Sequence, residues 1–320
     1  MGNLIARRAA QMLLIMLTVS LLLFAIFDSG QFRRKVAVAE LGGFGVATLS
    51  DADYQDWLQK KGLNRPFLAR YGEWLDAVAH GDLGRSLEKD ISVSTLLKES
   101  LANTAVLAFF VFLIMIPVAL TLGVLAGMNE GSTLDRVISL TAVMTTSIPQ
   151  IATAVLLTVT LSLGLGWVPT KSAMTDGWSF RELVLPLLTL LLYEVGYLTR
   201  MTRAAMSEVM GSDYIRTAFL KGLPYWRVIV RHALRNALIV PVTLIFLELN
   251  GLLSQVVVIE VFFQYGGFGR MLFDAANFGD LQVLQAATLV AVCVAVLSQL
   301  LSDAAYAALN PRVRFTRAPP

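Results

Sequence analysis

Six stretches of this chain, Met12 to Phe27, Thr104 to Ala126, Val137 to Leu165, Leu183 to Leu198, Ala237 to Phe263 and Val283 to Leu309, run with scarcely a charge. About twenty apolar residues is the length a helix needs to cross the hydrocarbon core of a bilayer. The composition agrees, since 56% of the residues are hydrophobic and 15% charged, whereas an average soluble domain carries roughly a quarter charged residues. The chain therefore reads as an all-α membrane protein with about six transmembrane helices.

The first window follows Arg7 and Arg8, as a secretory signal would. No small-residue cleavage site follows FAIFDSG, so it reads as an uncleaved first helix. The single cysteine, Cys293, lies inside the last apolar window. It acts as a small hydrophobe there, and the fold does not rest on disulfides.

Orientation follows from Lys and Arg near helix ends. With the N-terminus inside, the inner segments collect Arg136, Arg200, Arg203, Arg216, Lys221, Arg227, Arg231, Arg235, Arg312, Arg314 and Arg317 besides the first pair. The short outer segments hold only Lys171, Arg181 and Arg270. Both termini are thus expected in the cytoplasm. The expected organisation is a first helix in 1–28, a large extracytoplasmic segment in 29–102, and a five-helix core in 103–309 with a cytoplasmic loop at 202–236, followed by a cytoplasmic tail at 310–320.

That loop contains SDYIRTAFLKGLPYWRVIVRHALRNALIVP, Ser212 to Pro241. Asp213 is suited to cap a short helix with Tyr214, Ile215, Ala218 and Phe219 on one side and Arg216 and Thr217 turned away. A helix so short needs a partner to be stable. Gly222 suits a left-handed helix end and Pro224 the start of the next helix, which makes an elbow. Beyond it Arg227, Arg231 and Arg235 recur every four residues as a basic ridge, with Trp226, Val230, Ala233 and Ala237 on another face. Such a ridge fits anionic lipid headgroups or a protein docking site, and the residues alone leave both open.

DYIRTAFLKGL followed by RHALRNALIVPV resembles the coupling loop of permease subunits of bacterial ABC importers, in the branch that handles dipeptides, oligopeptides and nickel. The family pattern is close to D-Y-V-R-T-A-x-A-K-G-L, then R-H-A-L-R-N-A and a proline. Leu220 stands where the family usually has alanine, beside the bulky Phe219. GLNRPFLARYGEWLDAVAHGDLGRSL resembles the family's G-L-D-x-P, Y-x-x-W-L and G-D-L-G-x-S signature. VVIEVFFQYGGFGRML resembles E-x-V-F-x-x-P-G-x-G with Gly266 for the proline, and DAAYAALNPRVR resembles D-x-x-Y-A-x-x-D-P-R-V-R with Asn310 for the aspartate.

The resemblance spans nearly the whole chain. It implies the type I transmembrane domain of an ABC importer in the bacterial inner membrane, paired with a second homologous permease. Two ATPase subunits would dock below and an extracytoplasmic binding protein would deliver substrate from above. ATP and Mg would be bound by the ATPases, and this subunit would carry no cofactor and catalyse no reaction. It further implies that Asp213, Tyr214, Ile215, Arg216, Thr217, Ala218, Phe219, Lys221, Gly222, Arg227, Arg231 and Arg235 couple the spans to the ATPase.

Ionisable and polar groups inside apolar windows are costly and mark candidate functional positions. Glu194, Glu248, Asn250, Gln150 and Gln255 are such positions and are expected along the substrate pathway. The bland alternatives are a Glu194 pairing with Arg200 or a neighbouring subunit, and amides that tie helices together. Pro117, Pro149, Pro186 and Pro241 fall in or beside the spans, where hydroxyls such as those of TTSIPQ can satisfy the backbone groups a proline frees.

No Walker-type Gly-x-x-x-x-Gly-Lys-Ser/Thr occurs in the chain, no metal-ligand cluster stands out around His80 and His232, and no nucleophile elbow is present. The arginines adjoin a membrane span, which argues against nucleic acid as a partner. A secondary transporter or channel and a membrane sensor or scaffold share the apolar spans, and nickel chelate, glutathione, an opine or a small glycoside are rival cargoes within the importer branch.

Overall fold

The computed structural model describes residues 2–41, 50–174 and 178–309, and among them every extended element is a helix. The tail at 310–320, with Asn310, Arg312, Arg314 and Arg317, lies outside the described residues. Three helices are long and apolar enough to cross a membrane, and the number rises to seven if each of four bent helix pairs is one span.

The window Val137 to Leu165 departs from a straight span. Helix Thr133–Ser147 stops at Ile148, whose backbone is extended, and Gln150–Leu157 starts after Pro149 at 99° to it, continuing as a π-helix over Thr158–Gly164. Pro149 has no N–H to give and pushes Ile148 out of the helical region. The hydroxyls of Thr145, Thr146 and Ser147 bond back to Ala142 and Val143 carbonyls, which occupies acceptors in the last turn. The first window, Met12 to Phe27, lies whole within the helix Gly2–Phe27, and a 66° turn follows it before Gly30–Val38.

The chain divides into two compact units. The first takes residues 1–103 and 267–296. Its core sets Phe27, Val93 and Leu97 against Phe268, Met271, Val283 and Ala287, so a late segment of the chain closes the core begun by the first helix. Helix Phe67–Ala79 lies on that first helix: the Phe24 ring meets Phe67 and Tyr71 edge-on at 5.4 Å each, and the Tyr71 and Ser20 hydroxyls are 2.7 Å apart. Asp28 accepts from Arg33 at 2.8 Å and from Arg70.

The GDLGRS stretch gains a partner in this unit. Buried Asp280 accepts from the Ser86 hydroxyl at 2.6 Å and the Leu87 N–H at 2.8 Å, and Gln282 Oε1 accepts from Arg85 N–H at 2.6 Å. Gly84 has φ +80°, a left-handed conformation that favours glycine, and a Cβ there would stand 2.5 Å from Gln282 Oε1, so the Gln282 side chain would have to shift.

The second unit takes residues 104–266 and 297–320 and is built around helix Phe180–Met210. Its buried Leu183, Leu187, Leu190 and Leu198 pack with Leu107, Met115, Ile259 and Phe263. Gly123 and Gly127, four residues apart, let the backbone of Val93–Met128 come close: an added Cβ would sit 2.4 Å from Thr202 Cβ and 2.6 Å from Met206 Cβ. This is the small-xxx-small contact that draws membrane helices together.

Candidate functional site

The short helix expected in the basic loop spans Asp213–Leu220. Ser212, rather than Asp213, is its N-cap residue, and the Ser212 hydroxyl donates to Val209 O at 2.5 Å instead of capping. Asp213 occupies the first turn, where a carboxylate meets the positive end of the helix dipole.

At the other end the chain closes a Schellman motif. Gly222 N–H donates to Phe219 O at 2.9 Å, Leu223 N–H to Ala218 O at 3.4 Å, and Gly222 takes φ +76°. Leu223 packs into the same apolar cluster as Ala218. Pro224 then caps Tyr225–Val228 from just outside the helix, not from its first position.

The apolar residues of this helix separate into two sets. Ile215, 1% exposed, and Ala218 are buried within the chain against Met206, Val228 and Ile229. Tyr214, Phe219 and Leu220 face outward, Leu220 with 80% of its surface free, and Tyr225 and Trp226 extend the exposed patch. Phe219 stacks on Tyr225 at 5.9 Å, and Asn236 Nδ2 donates to the Tyr214 hydroxyl at 2.9 Å. Asp213, Arg216, Thr217, Lys221 and Gly222 are also exposed.

The second helix corrects the expected face. Ile229–Ala233 forms a π-turn between Tyr225–Val228 and Leu234–Ala237. The wider turn brings Val228 and Ile229 into line with Ala233 and Ala237 as the buried seam, and it leaves Trp226 and Val230 outside. Arg227, Arg231 and Arg235 are all exposed, and the Arg227 guanidinium lies 5.8 Å from the Trp226 ring centroid.

Beside the elbow, Arg203 on Phe180–Met210 holds Asp135. Nε donates to Oδ1 at 2.5 Å and Nη2 to Oδ2 at 2.8 Å, while Gly131 N–H and the Ser139 hydroxyl supply further donors at 2.9 and 3.1 Å. The sequence reading used Arg203 only for orientation and passed over Asp135. The signal was present in Ser132-x-x-Asp135, a capping spacing, and Ser132 does accept from Asp135 N–H at 3.1 Å.

The polar candidates of the spans converge inside the second unit. Gln150 Nε2 donates to Gln255 Oε1. Glu194 is fully buried, and neither carboxylate oxygen has a hydrogen-bond partner among the described residues. Glu248 and Gln255 are its polar neighbours. The pairing of Glu194 with Arg200 does not form, because Arg200 Nη1 turns to Thr146 Oγ1 at 3.3 Å. The Asn250 side chain lies outside the described residues. Glu260, also buried, accepts from the Thr104 hydroxyl at 2.5 Å, and sequence reasoning noted it only within a motif.

Long apolar helices, with a short helix at an elbow that leaves an apolar patch exposed, mark an integral membrane protein. Residues 119–315 match the family model of the binding-protein-dependent transport system inner membrane component, and the chain belongs to that family. It is 31% identical to the oligopeptide transport system permease protein AppB of Bacillus subtilis (strain 168), over 98% of this chain and all of that one. It is 30% identical to the dipeptide transport system permease protein DppB of Alkalihalophilus pseudofirmus, over 81% of this chain and 85% of that one.

Among solved structures, an inward-facing form of the MetNI methionine ABC transporter shares the fold. The TM-score is 0.52 at 21% identity, covering 68% of this chain and 96% of the other. The chain is an integral membrane permease component of an ABC importer, a class whose permease subunits are not catalytic.

Proposed function

We propose that this permease moves di- or oligopeptides across the bacterial inner membrane by alternating access, driven by a separate ATPase that engages the helix Asp213–Leu220. The cargo follows from the oligopeptide and dipeptide permeases to which the chain is similar. Both termini and the elbow lie in the cytoplasm, residues 29–102 outside, and a second permease completes the pathway. Two ATPases hold ATP and Mg, and an extracytoplasmic binding protein presents the peptide.

The observation that carries this reading is the division of the short helix into an inner and an outer set. Ile215 and Ala218 tie it to Met206 on Phe180–Met210, while Tyr214, Phe219 and Leu220 offer an apolar patch to a partner. A push on the outer set is therefore delivered to a long helix that carries Glu194 about 18 Å further along, twelve residues at roughly 1.5 Å each. The Schellman closure at Gly222 keeps the peg at a fixed angle, and Arg227, Arg231 and Arg235 flank it as charges for the ATPase or lipid headgroups.

The test is uptake of a labelled dipeptide into proteoliposomes holding this chain with its partner permease, ATPases and binding protein. Uptake should stop when ATP is removed at a constant proton gradient. Uptake that continues without ATP would overturn the coupling reading in favour of a secondary transporter.

A further inference from the structure

We propose that the groove between helices Thr133–Ser147 and Phe180–Met210 binds the phosphate of an anionic phospholipid. The groove has a volume of about 370 Å³ and is lined by Asp135, Arg136, Ser139, Val143, Arg200 and Arg203. Three guanidinium groups meet there, and only one is neutralised within it. Asp135 is fully engaged by the bidentate bonds from Arg203 together with Gly131 and Ser139.

Arg136 and Arg200 are exposed, and among the described residues neither is paired with a carboxylate. Among the described residues Arg200 donates to the Thr146 hydroxyl over a long 3.3 Å. The groove thus presents two free cations to an anionic oxygen, while the third cation and the Ser139 hydroxyl are taken up by Asp135. Guanidinium forks suit phosphate oxygens, and basic pockets between membrane helices are a recurring form of headgroup recognition.

A lipid fits better than a soluble phosphate because the wall continues as apolar surface. Val143 lines the groove, and Val137, Leu140 and Met144 on the same helix are each more than half exposed or, for Val143, nearly so. Acyl chains would cover these side chains while the headgroup meets the arginines. In the proposed orientation the groove sits at the cytoplasmic end of both helices, the leaflet where anionic lipid accumulates.

The experiment is lipid retention by the full-length chain, measured by native mass spectrometry after exchange into detergent containing either phosphatidylglycerol or phosphatidylcholine. The wild-type chain should retain phosphatidylglycerol over phosphatidylcholine. Arg136→Gln with Arg200→Gln should lower that retention roughly twenty-fivefold, about fivefold for each arginine near a phosphate. Arg136→Lys with Arg200→Lys should keep most of it, which separates lost charge from lost folding.

Equal retention of the two lipids, or unchanged retention in the glutamine variant, would overturn the proposal. So would release of the lipid by inorganic phosphate alone, which would make the site one for a free anion. Loss of the lipid when the second permease is added would assign the groove to the subunit interface instead. Retention is read without transport, so a failure of ATP-driven uptake would leave this site standing.

Discussion

Arg203 grips Asp135 with two near-parallel hydrogen bonds, at 2.5 and 2.8 Å, and so fastens the start of helix Thr133–Ser147 to the last turns of Phe180–Met210. Asp135 is almost wholly buried, and its oxygens accept from Gly131 and Ser139 as well. Removing one member of such a pair strands the other charge, which costs more than the pair itself contributes. Arg203→Leu should therefore lower stability by about 3 kcal/mol, and adding Asp135→Asn should recover part of that loss. Thermal unfolding in detergent of the two single variants and the double variant checks the sign of the coupling.

Gly222 closes the elbow with φ +76°, and nothing lies within 4 Å of the place a Cβ would take. Strain from the left-handed conformation, not crowding, is then the whole effect of substitution. Gly222→Val should cost about 1–3 kcal/mol locally and tilt the short helix. Membrane insertion should be normal while ATP hydrolysis continues without uptake. Normal peptide uptake in that variant would remove the elbow from the coupling mechanism.

The inner and outer sets of the short helix predict opposite phenotypes. Phe219→Asp and Leu220→Asp place charge in the exposed patch, so the chain should accumulate normally but lose its ATPase in a pull-down. Ile215→Asp places an unpaired charge against Met206 and Val228, which should prevent stable folding before any docking is tested. Retention of the ATPase by both outer variants would move the docking face elsewhere.

Glu194 holds a buried carboxylate that no described group satisfies. Glu194→Gln keeps the shape and cannot ionise, so it removes the cost of holding a charge in an apolar interior near Glu248. The variant should unfold at a higher temperature, by the equivalent of about 1–3 kcal/mol. If Glu194 serves the pathway, peptide uptake falls even as stability rises, and a variant that is more stable with full uptake would make the residue dispensable for transport.

Asp280 gathers the Ser86 hydroxyl and the Leu87 N–H over nearly two hundred residues of chain. Asp280→Ala should free residues 84–92 and cost about 2 kcal/mol for the orphaned donors. Limited proteolysis of intact spheroplasts should then cut in that stretch, whereas the native segment should resist.

Much of this was legible in the chain itself. The apolar windows locate long helices because helix length against bilayer thickness is a local property. The Gly222 and Pro224 junction was readable because left-handed backbone and missing N–H groups are intrinsic to those residues. The break at Pro149 was visible as a proline but not as a 99° turn, since its angle depends on what the two halves pack against. The face of the second helix was misread because periodicity assumes one turn throughout, and the π-turn at Ile229–Ala233 changes the register.

Residue order and composition by themselves determined a helical membrane chain, its punctuation and the presence of a charged loop between spans. Tertiary structure alone decided which apolar residues of that loop are used inside the chain and which are left for a partner. It also decided that Arg203 is neutralised by Asp135 while Arg136 and Arg200 meet no carboxylate among the described residues, and that Glu194 lies near Glu248 and Gln255 and does not pair with Arg200. Each of these depends on residues dozens of positions apart sharing one small volume, and no local pattern records which of several similar charges or side chains will be brought there.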